Sequence, residues 1–263
     1  MPSSGSVVGI LHPGEMGSVV GGCLVKRGHE VLWASDERGP RTIRRAAAAG
    51  LTDVRSIGEV TGRVDVVLSI CPPHAAVEVA RAVAGFGGIY VDANAVSPQT
   101  AQQVAAIVTG GGATYVDGGI IGPPPAEAGR TRLYLSGDAA PSVKELFDQT
   151  PLEARIVTAG PWSASSLKMA YAAWTKGSGA LLLTVHALAQ AEGVGEALAA
   201  EWAQSLPGLS DRLPGTERSA AEKGWRWIGE MEEIAATMAA AGLPDGFHLA
   251  AAEVYKKSPA PEC

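Results

Sequence analysis

The stretch from Val7 to Ser35, VVGILHPGEMGSVVGGCLVKRGHEVLWAS, predicts a β-strand, a turn, a helix and a second strand. In such a βαβ unit, the free N–H groups at the start of the helix receive the pyrophosphate of a dinucleotide. Gly14 would let the backbone approach the phosphates, and Gly17 would let the helix pack closely on the strand. His12 and Pro13 stand where the first glycine of this fingerprint and its neighbour belong. A plain strand-to-helix connection is therefore the alternative.

The end of the second strand bears on the choice between NAD and NADP. An acidic residue there binds the 2′-hydroxyl of NAD, whereas a nearby arginine accommodates the 2′-phosphate of NADP. The sequence WASDERGPR (33–41) places Ala34 at the acid position. We therefore favour NADP(H) over NAD(H) and expect Ser35 and Arg38 to contact the phosphate. Asp36 is an alternative, as a displaced acid for the ribose.

The first half of the chain continues to alternate short β-branched runs with helical segments. Apolar strands separated by helices indicate a doubly wound parallel sheet covered on both faces, hence an α/β fold class. After Gly160 only helical patterns follow, and the first of them is unusually long. The predicted strands are 6–11, 30–34, 65–70, 88–93, 113–119, 132–137 and 154–158, and the predicted helices are 15–27, 40–49, 73–84, 97–108, 141–149, 162–193, 194–205, 217–241 and 246–257.

This change of pattern predicts the domain organisation. We expect a dinucleotide-binding domain at 1–160, an all-α substrate and dimerisation domain at 161–257, and a loose tail at 258–263. The long helix would join the two domains. In this reading, the helix at 217–241 begins within the loop-like sequence LPGTERS (213–219).

Composition narrows the class of protein. An apolar fraction of 46% and a charged fraction of 18% are typical of a globular chain. The net charge of −6 and the lack of a basic run argue against a nucleic-acid partner. The longest apolar segment, 164–191, contains Lys168, Lys176 and His186, which argues against a membrane span.

The cysteines and the N-terminus suggest a compartment. The sequence MPSSGSVVGIL lacks the pattern of a secretory signal. Cys23, Cys71 and Cys263 have neither metal-site nor disulfide spacing, so no metal site is expected. We therefore expect a reduced, cytoplasmic protein.

Five motifs follow one another in a characteristic order: GILHPGEMG (9–17), LSICPPHAAVEVA (68–80), VDANAVSPQTA (91–101), VDGGIIGPPPAEAGRTRLYLSG (116–137) and GPWSASSLKMAYAA (160–173). Over nearly its whole length the chain resembles the β-hydroxyacid dehydrogenase family. That family includes enzymes that act on 6-phosphogluconate, 3-hydroxyisobutyrate and tartronate semialdehyde, and the related imine reductases. The chain is most similar to a subgroup with a divergent C-terminal domain. The resemblance implies a Rossmann-like domain, a long interdomain helix, and a helical domain that completes the active site, usually in a homodimer.

The resemblance also implies roles for individual residues. Asn94 would contact the substrate and the cofactor. Asp117–Gly122, which includes Gly119, would form the substrate loop, although Ile121 replaces a serine that usually contacts a substrate carboxylate. The other residues implied to bind the cofactor are Pro13, Gly14, Glu15 and Met16 in the phosphate-binding turn, with His12 beside them, and Cys71, Pro72 and Pro73 near the nicotinamide.

Lys168 matches the lysine that performs proton transfer in this family. A cation beside a substrate oxygen polarises a carbonyl, and a desolvated lysine can donate or accept a proton. The alternative is an ordinary solvated lysine on a helix. Tyr171 and Thr175 are further candidates for proton transfer, although Tyr171 also suits a packed aromatic role. Lys176 is expected to lie at the surface or in a salt bridge.

The C-terminal domain departs from the family. Gly229 and Glu230 occupy the places where family members commonly carry a lysine–aspartate pair. We expect Trp225, Trp227 and Met231 to wall an apolar substrate pocket, with Arg226 or Glu230 as its polar member. A tryptophan pair in a dimer core is the equal alternative.

Together these patterns predict an NADP(H)-dependent oxidoreductase that exchanges hydride with a carbonyl or alcohol carbon of a small molecule. The altered substrate residues argue against a small, plain hydroxycarboxylate. The presence of Lys168 favours carbonyl chemistry over imine reduction, because imine-reducing relatives usually replace that lysine. The alternatives are an imine reductase or reductive aminase on the same scaffold, a non-catalytic NADP(H)-binding protein, and a purely structural α/β protein.

Overall fold

The computed structural model describes residues 5–257, so the predicted tail at 258–263 and Cys263 lie outside the described residues. The chain forms two compact units that divide between Lys168 and Met169. This division falls inside the long helix, whereas the sequence suggested a boundary near Gly160.

The first unit is built on an eight-stranded sheet with strand order β3-β2-β1-β4-β5-β6-β7-β8. Neighbouring strands are parallel except β6 and β7, which are antiparallel. This confirms the predicted doubly wound parallel sheet. The strands are β1 (Val7–Leu11), β2 (Glu30–Trp33), β3 (Thr52–Asp53), β4 (Val66–Ser69), β5 (Ile89–Asp92), β6 (Thr114–Ile121), β7 (Thr131–Ser136) and β8 (Leu152–Ile156).

Helices cover both faces of this sheet. In β4, Val66 and Leu68 belong to one buried cluster and Val67 to the other, because successive side chains of a strand point to opposite faces. A strand buried on both sides needs a continuous apolar run, which is the pattern that predicted it. The helices of this unit are α1 (Glu15–Arg27), α2 (Pro40–Ala48), α3 (Ile57–Thr61), α4 (Ala76–Ala82), α5 (Pro98–Gly110), α6 (Ala140–Leu146) and the start of α7 (Ser163–Ala191).

Two short elements, β3 and α3, were not predicted. Both residues of β3 are exposed, so the strand has no apolar pattern to recognise. Ser56 and Glu59 form a capping box at the start of α3, which is a signature that the sequence does contain. The predicted helix at 73–84 is instead a 3₁₀ turn, Pro73–Ala75, followed by α4.

The second unit is all helical, as predicted. It contains the rest of α7 with α8 (Gly195–Ser205), α9 (Leu209–Ala240) and α10 (Gly246–Lys256). The prediction that a helix starts near 217 was wrong, because α9 begins at Leu209 and continues through Pro214. At this sixth position of the helix a proline removes one backbone hydrogen bond, and its ring crowds the carbonyl of the residue four positions earlier. The rest of the long helix has to offset that cost. Within residues 5–257, no helix is both long and apolar enough to cross a membrane.

Candidate active site

The turn between β1 and α1 is shaped by His12. This residue adopts a left-handed conformation (φ 66°), which histidine tolerates better than branched residues do. Its carbonyl accepts a hydrogen bond from the Gly14 N–H (2.7 Å). A Cβ atom on Gly17 would lie 2.6 Å from the same oxygen, so Gly17 has to be glycine. His12 thus makes the tight turn for which the usual fingerprint uses a glycine.

The same turn fits the pyrophosphate of a dinucleotide. The nearest atom to a Cβ built on Gly14, apart from the adjoining residues, is the His12 carbonyl oxygen at 4.0 Å. The protein therefore leaves space at this position. Gly14 is the N-cap of α1, and glycine offers no side chain to the N–H groups of the first turn. These groups and the helix dipole favour an anion. Pro13 is buried beside the turn, Glu15 opens the helix, and Met16 packs against the core.

The imidazole of His12 is neutral near pH 7. Burial and the nearby positive charge of Arg38 lower the pKa of His12 to about 4. Arg38 also lowers the pKa of Cys71, against larger opposing effects, so its charge lies close to both loops. Nδ1 of His12 is buried and has no hydrogen-bond partner among residues 5–257. Arg38 therefore supplies the positive charge next to the phosphate-binding turn.

An acidic side chain lies beside the end of β2, although β2 does not carry it. Asp53 is the register partner of Trp33, and its Oδ1 accepts hydrogen bonds from the N–H groups of Ser35 (3.2 Å) and Arg55 (2.9 Å). Although burial opposes ionisation, hydrogen bonds from Ser35 and Arg55 lower the pKa of Asp53. Ser35 and Arg38 share one turn, since the Arg38 N–H donates to the Ser35 carbonyl (3.0 Å). Asp53 could not be predicted from the sequence, because both residues of β3 are exposed and the strand has no apolar pattern.

Asn94 holds the loop that follows β4. Its side chain is 2% exposed, and its Oδ1 accepts a hydrogen bond from the Cys71 N–H (2.6 Å). Its Nδ2 donates to Ser69 Oγ (3.0 Å) and to Asp92 Oδ1 (2.6 Å). Pro72 and Pro73 continue this loop into the 3₁₀ turn. The amide of Asn94 is therefore engaged within the protein, and it fixes the backbone of the loop.

Asp92 is the buried carboxylate behind Asn94, and sequence reasoning did not single it out. Its Oδ1 also accepts from the Asn94 N–H (3.2 Å), and its Oδ2 accepts from the Tyr115 hydroxyl (3.3 Å). Burial, with a smaller contribution from Asp117, raises the pKa of Asp92 to about 7, against the hydrogen bonds from Asn94 and Tyr115. The sequence did contain a sign of this residue, because Asp92 is the aspartate that ends the apolar strand β5. Burial and Asp92 raise the pKa of Cys71 to about 12, so its thiol is protonated and unreactive as a nucleophile.

Asp117 anchors the start of α7. It is fully buried, and its carboxylate accepts hydrogen bonds from Ser136 Oγ (2.9 Å), from the Ser165 N–H (2.9 Å) and from the Ser165 hydroxyl. Burial raises the pKa of Asp117, and the bonds from Ser165 and Ser136 oppose that effect. Gly119 lies two residues after Asp117 on β6, and a Cβ atom built on it would lie 2.9 Å from the Lys168 Cβ. The first turns of α7 thus carry Lys168 directly onto β6.

The remaining predicted residues of β6 differ in their surroundings. Ile121 is buried in the core. Gly122 has φ 124°, and a Cβ atom there would lie 2.3 Å from the Arg130 carbonyl oxygen. Both residues shape the backbone at the end of β6.

The second unit contains the other predicted residues. Tyr171 is exposed, and Thr175 Oγ1 donates to the Tyr171 carbonyl (3.1 Å). Met231 is fully buried. Trp227 packs edge-on against Tyr255 (5.0 Å between centroids) and lines a cavity of about 520 Å³, as do Thr175 and Lys176.

A buried ion pair lies beside this cavity. Lys176 pairs with Glu230, and their side chains are 19% and 7% exposed. The Lys176 ammonium lies 5.6 Å from the Trp227 ring centroid, and the Arg226 guanidinium lies 5.1 Å from the Trp225 ring centroid. Arg226 and Glu230 were the two residues expected as the polar member of the pocket. Glu230 pairs with Lys176, and Arg226 lies over the Trp225 ring.

Comparison with known families decides the assignment. The family described as "NAD binding domain of 6-phosphogluconate dehydrogenase" matches residues 7–151, more than half of the chain. The chain belongs to this family. The 6-phosphogluconate dehydrogenase-type domain confirms the predicted resemblance and makes the protein an NAD(P)-dependent oxidoreductase with a nicotinamide cofactor. A domain of unknown function, DUF1932, matches residues 189–258, in keeping with the divergent C-terminal sequence. No curated protein matches the chain.

Solved structures of similar fold agree with this family. Protein MTH1747, of unknown function and described as similar to 3-hydroxyacid dehydrogenases, is 27% identical with a TM-score of 0.71, over 95% of this chain and 96% of that one. A 3-hydroxyisobutyrate dehydrogenase from Mycobacterium tuberculosis, solved with L-serine, is 18% identical with a TM-score of 0.74, over 96% and 93%. A reductive aminase from Aspergillus terreus, solved with NADPH and ethyl levulinate, is 18% identical with a TM-score of 0.60, over 96% and 93%. The last two share the fold of this 6-phosphogluconate dehydrogenase-type protein.

Proposed function

We propose that the protein is an NADP(H)-dependent oxidoreductase that exchanges hydride with a carbonyl or alcohol carbon of a small molecule. The contact between Lys168 and Gly119 is the observation that carries this proposal. It brings the base of the Lys168 side chain to β6, the strand next to β5, in the same unit whose α1 N-terminus fits a pyrophosphate.

The chemistry assigned to the chain is proton transfer and positioning. A bound nicotinamide supplies or accepts the hydride. In the direction of reduction, Lys168 donates a proton to the substrate oxygen as the carbonyl carbon gains hydride. In oxidation, Lys168 accepts the hydroxyl proton as that carbon loses hydride. Tyr171 and Thr175, farther along the same helix, are second candidates for the proton transfer.

The substrate is proposed to lie at the carboxyl ends of β5 and β6. The side chains of Asn94 and Asp117 are engaged within the protein, so they hold the walls of the site while the backbone at 117–122 faces the substrate. In the second unit, Trp227 lines a cavity, which supports a pocket-wall role for that residue alone. Trp225 is not among the residues that line it, and Met231 is fully buried, so Met231 is a core residue and not a pocket wall.

The preference for NADP(H) rests on two features. Ala34 leaves β2 without the acid that binds a 2′-hydroxyl, and Arg38 places a positive charge near the phosphate-binding turn. Ser35 shares a turn with Arg38, where both would contact the 2′-phosphate. The negative charge of Asp53 opposes this preference. The choice of cofactor then depends on the balance between the Arg38 and Asp53 charges.

We also propose a cytoplasmic homodimer formed through the C-terminal helical domain. A groove of about 810 Å³ in the second unit is lined almost entirely by apolar side chains. Trp174, Leu181 and Phe247 on this groove are 72%, 64% and 78% exposed. Monomeric proteins rarely leave so much apolar surface uncovered.

Two measurements test the proposed function. NADPH should raise the melting temperature more than NADH at equal concentration, since stabilisation follows the ratio of ligand concentration to Kd. Loss of NADPH absorbance should then be followed across a panel of β-keto acids, other carbonyl compounds and cyclic imines. Turnover of imines but not of carbonyl compounds would show that the protein is an imine reductase. Binding of NADPH without turnover of any compound would indicate a non-catalytic protein.

The role of Lys168 is tested with the substrate found in that panel. Lys168→Ala should lower kcat at least about 100-fold, the usual contribution of general acid–base catalysis. Lys223→Ala changes an exposed lysine of α9 and serves as the matched control. Turnover of Lys168→Ala within a few-fold of wild type would rule out the proposed role.

A further inference from the structure

We propose that the buried Asp92 carboxylate is a positioning residue, acting through the Asn94 amide on the Cys71–Pro73 loop. The inference deepens the proposed function and rests on it, because that loop is taken to line the nicotinamide half of the cofactor. Asp92 itself would touch neither cofactor nor substrate. Its role is to determine which end of the Asn94 amide faces the loop.

The hydrogen bonds define this orientation. An ionised carboxylate only accepts, so Asp92 Oδ1 requires the Nδ2 end of Asn94 on its side (2.6 Å). The oxygen end of the amide then faces the Cys71 N–H (2.6 Å). Rotating the amide by half a turn would place its NH₂ group against the Cys71 N–H and its oxygen against the carboxylate. Both new contacts would be repulsive, so a charged Asp92 permits one orientation only.

Ser69 does not provide the same control. Its hydroxyl accepts from Asn94 Nδ2 (3.0 Å), but a hydroxyl can donate as well as accept. It would therefore tolerate either orientation of the amide. The Tyr115 hydroxyl donates to the other oxygen of Asp92 (3.3 Å) and does not contact Asn94 in this arrangement. The orientation of the amide is thus set by the Asp92 carboxylate on one side and by the Cys71 N–H on the other.

This dependence makes the loop sensitive to protonation. The groups with electrostatic influence on Asp92 are Asp117 and Tyr115 on β6, Tyr90 on β5 and Cys71 in the loop. Burial raises the pKa of Tyr90 and Tyr115 well above 10 and that of Cys71 to about 12, so these three stay neutral near pH 7. Since the pKa of Asp92 is raised to about 7, the carboxylate is charged above that pH and gains a proton below it. A protonated Asp92 would keep Oδ1 as a neutral and therefore weaker acceptor for the Asn94 amide, and the loop would be held less firmly.

The test compares two ligands that differ only at the nicotinamide end. NADPH and 2′-phospho-ADP-ribose share the adenosine, the 2′-phosphate and the pyrophosphate, so effects of pH on those groups cancel in the ratio of their Kd values. We define the advantage of NADPH as the Kd of 2′-phospho-ADP-ribose divided by the Kd of NADPH. For wild type, this advantage should fall as pH drops from 8 to 6, with a midpoint near 7. Asp92→Asn should remove about tenfold of that advantage at pH 8, the scale of one hydrogen bond to a charged group, and should flatten the pH profile.

A second variant keeps the inference testable if Asp92→Asn does not fold. Tyr115→Phe removes the hydrogen bond that lowers the pKa of Asp92 but leaves Asn94 intact. It should move the midpoint to higher pH while the NADPH advantage at high pH stays at the wild-type value. A residue with a purely structural role would lower stability without moving this midpoint.

The outcomes separate the two proposals. If wild type binds neither ligand, the proposed function fails and the inference falls with it. If wild type binds NADPH with an advantage that does not vary between pH 6 and 8, or if Tyr115→Phe leaves the midpoint in place, the role of Asp92 is overturned and the proposed function stands.

Discussion

Gly119 on β6 and Lys168 on α7 are in direct contact: a Cβ atom on Gly119 would lie 2.9 Å from the Lys168 Cβ and 2.9 Å from the carbonyl oxygen of Ala164. Nothing larger than a hydrogen atom fits between strand and helix at this point. The position of Lys168 is therefore set by two regular elements, not by a loop, and Asp117 anchors the same helix one turn earlier through Ser165. A residue that transfers protons benefits from such rigid support.

The first prediction concerns this contact. Gly119→Ala should destabilise the protein by about 1–3 kcal/mol, the usual cost of overpacking, and should lower kcat because α7 has to move away from β6. Gly110→Ala is the matched control, since a Cβ atom there meets no atom within 4 Å at the end of α5. Urea unfolding and turnover measure the two effects. Wild-type stability in Gly119→Ala would contradict the close contact.

The two glycines of the phosphate-binding turn should respond differently to alanine. Gly14→Ala should lower the free energy of unfolding by no more than about 1 kcal/mol, since alanine is a poorer N-cap than glycine but its Cβ atom would be 4.0 Å from the His12 carbonyl oxygen, yet it should weaken NADPH binding. Gly17→Ala should destabilise the fold, since the His12 carbonyl oxygen is 2.6 Å from the new atom. Melting temperatures with and without NADPH distinguish the two cases. Unchanged NADPH affinity in Gly14→Ala would remove the turn from the cofactor site.

Removal of the Asp53 charge should shift cofactor preference toward NADPH. Asp53→Asn removes the carboxylate beside Ser35 and with it the repulsion between that carboxylate and the 2′-phosphate of NADPH. For exposed charges this repulsion is about 1 kcal/mol, which corresponds to roughly a fivefold change in the ratio of NADPH to NADH affinity. Asp36→Asn provides the comparison: if Asp36 is the displaced acid for the ribose, that variant weakens NADH instead. Titration calorimetry with both dinucleotides measures the ratio. The same ratio in Asp53→Asn and wild type would show that Asp53 plays no part.

The buried ion pair of the second unit should matter for stability. Glu230→Gln removes the negative charge that pairs with Lys176, and we expect a loss of about 3 kcal/mol. The double variant Lys176→Met with Glu230→Leu should recover most of that loss, because apolar pairs often replace buried ion pairs without cost.

Lys256→Met is the control for this pair. It breaks an exposed pair with Glu253, and the expected loss of stability is much smaller than that in Glu230→Gln. Urea midpoints give all three values. Equal losses in Glu230→Gln and Lys256→Met would show that burial of the Lys176–Glu230 pair has no energetic consequence.

The strands and most of the helices could be predicted because their signals are local. β1 and β4 are continuous apolar runs, and α7 has a helical period over its whole length. β3 escaped prediction because both its residues are exposed, and the loss of β3 hid Asp53 as well. The start of α9 was misplaced because Pro214 resembled a helix boundary, whereas the helix begins at Leu209 and runs through this proline.

The sequence by itself determined most of the strands and helices, the α/β class and the family, since each depends on motifs whose residues lie close together in the chain. It also predicted that Asn94 and Lys168 matter. Only the tertiary structure decided that Asn94 is held by Asp92, that Asp53 lies beside Ser35, and that Lys168 rests on Gly119. The register of neighbouring strands and the packing of a helix on a sheet bring these residues together, and such contacts depend on the whole fold rather than on any short stretch of sequence.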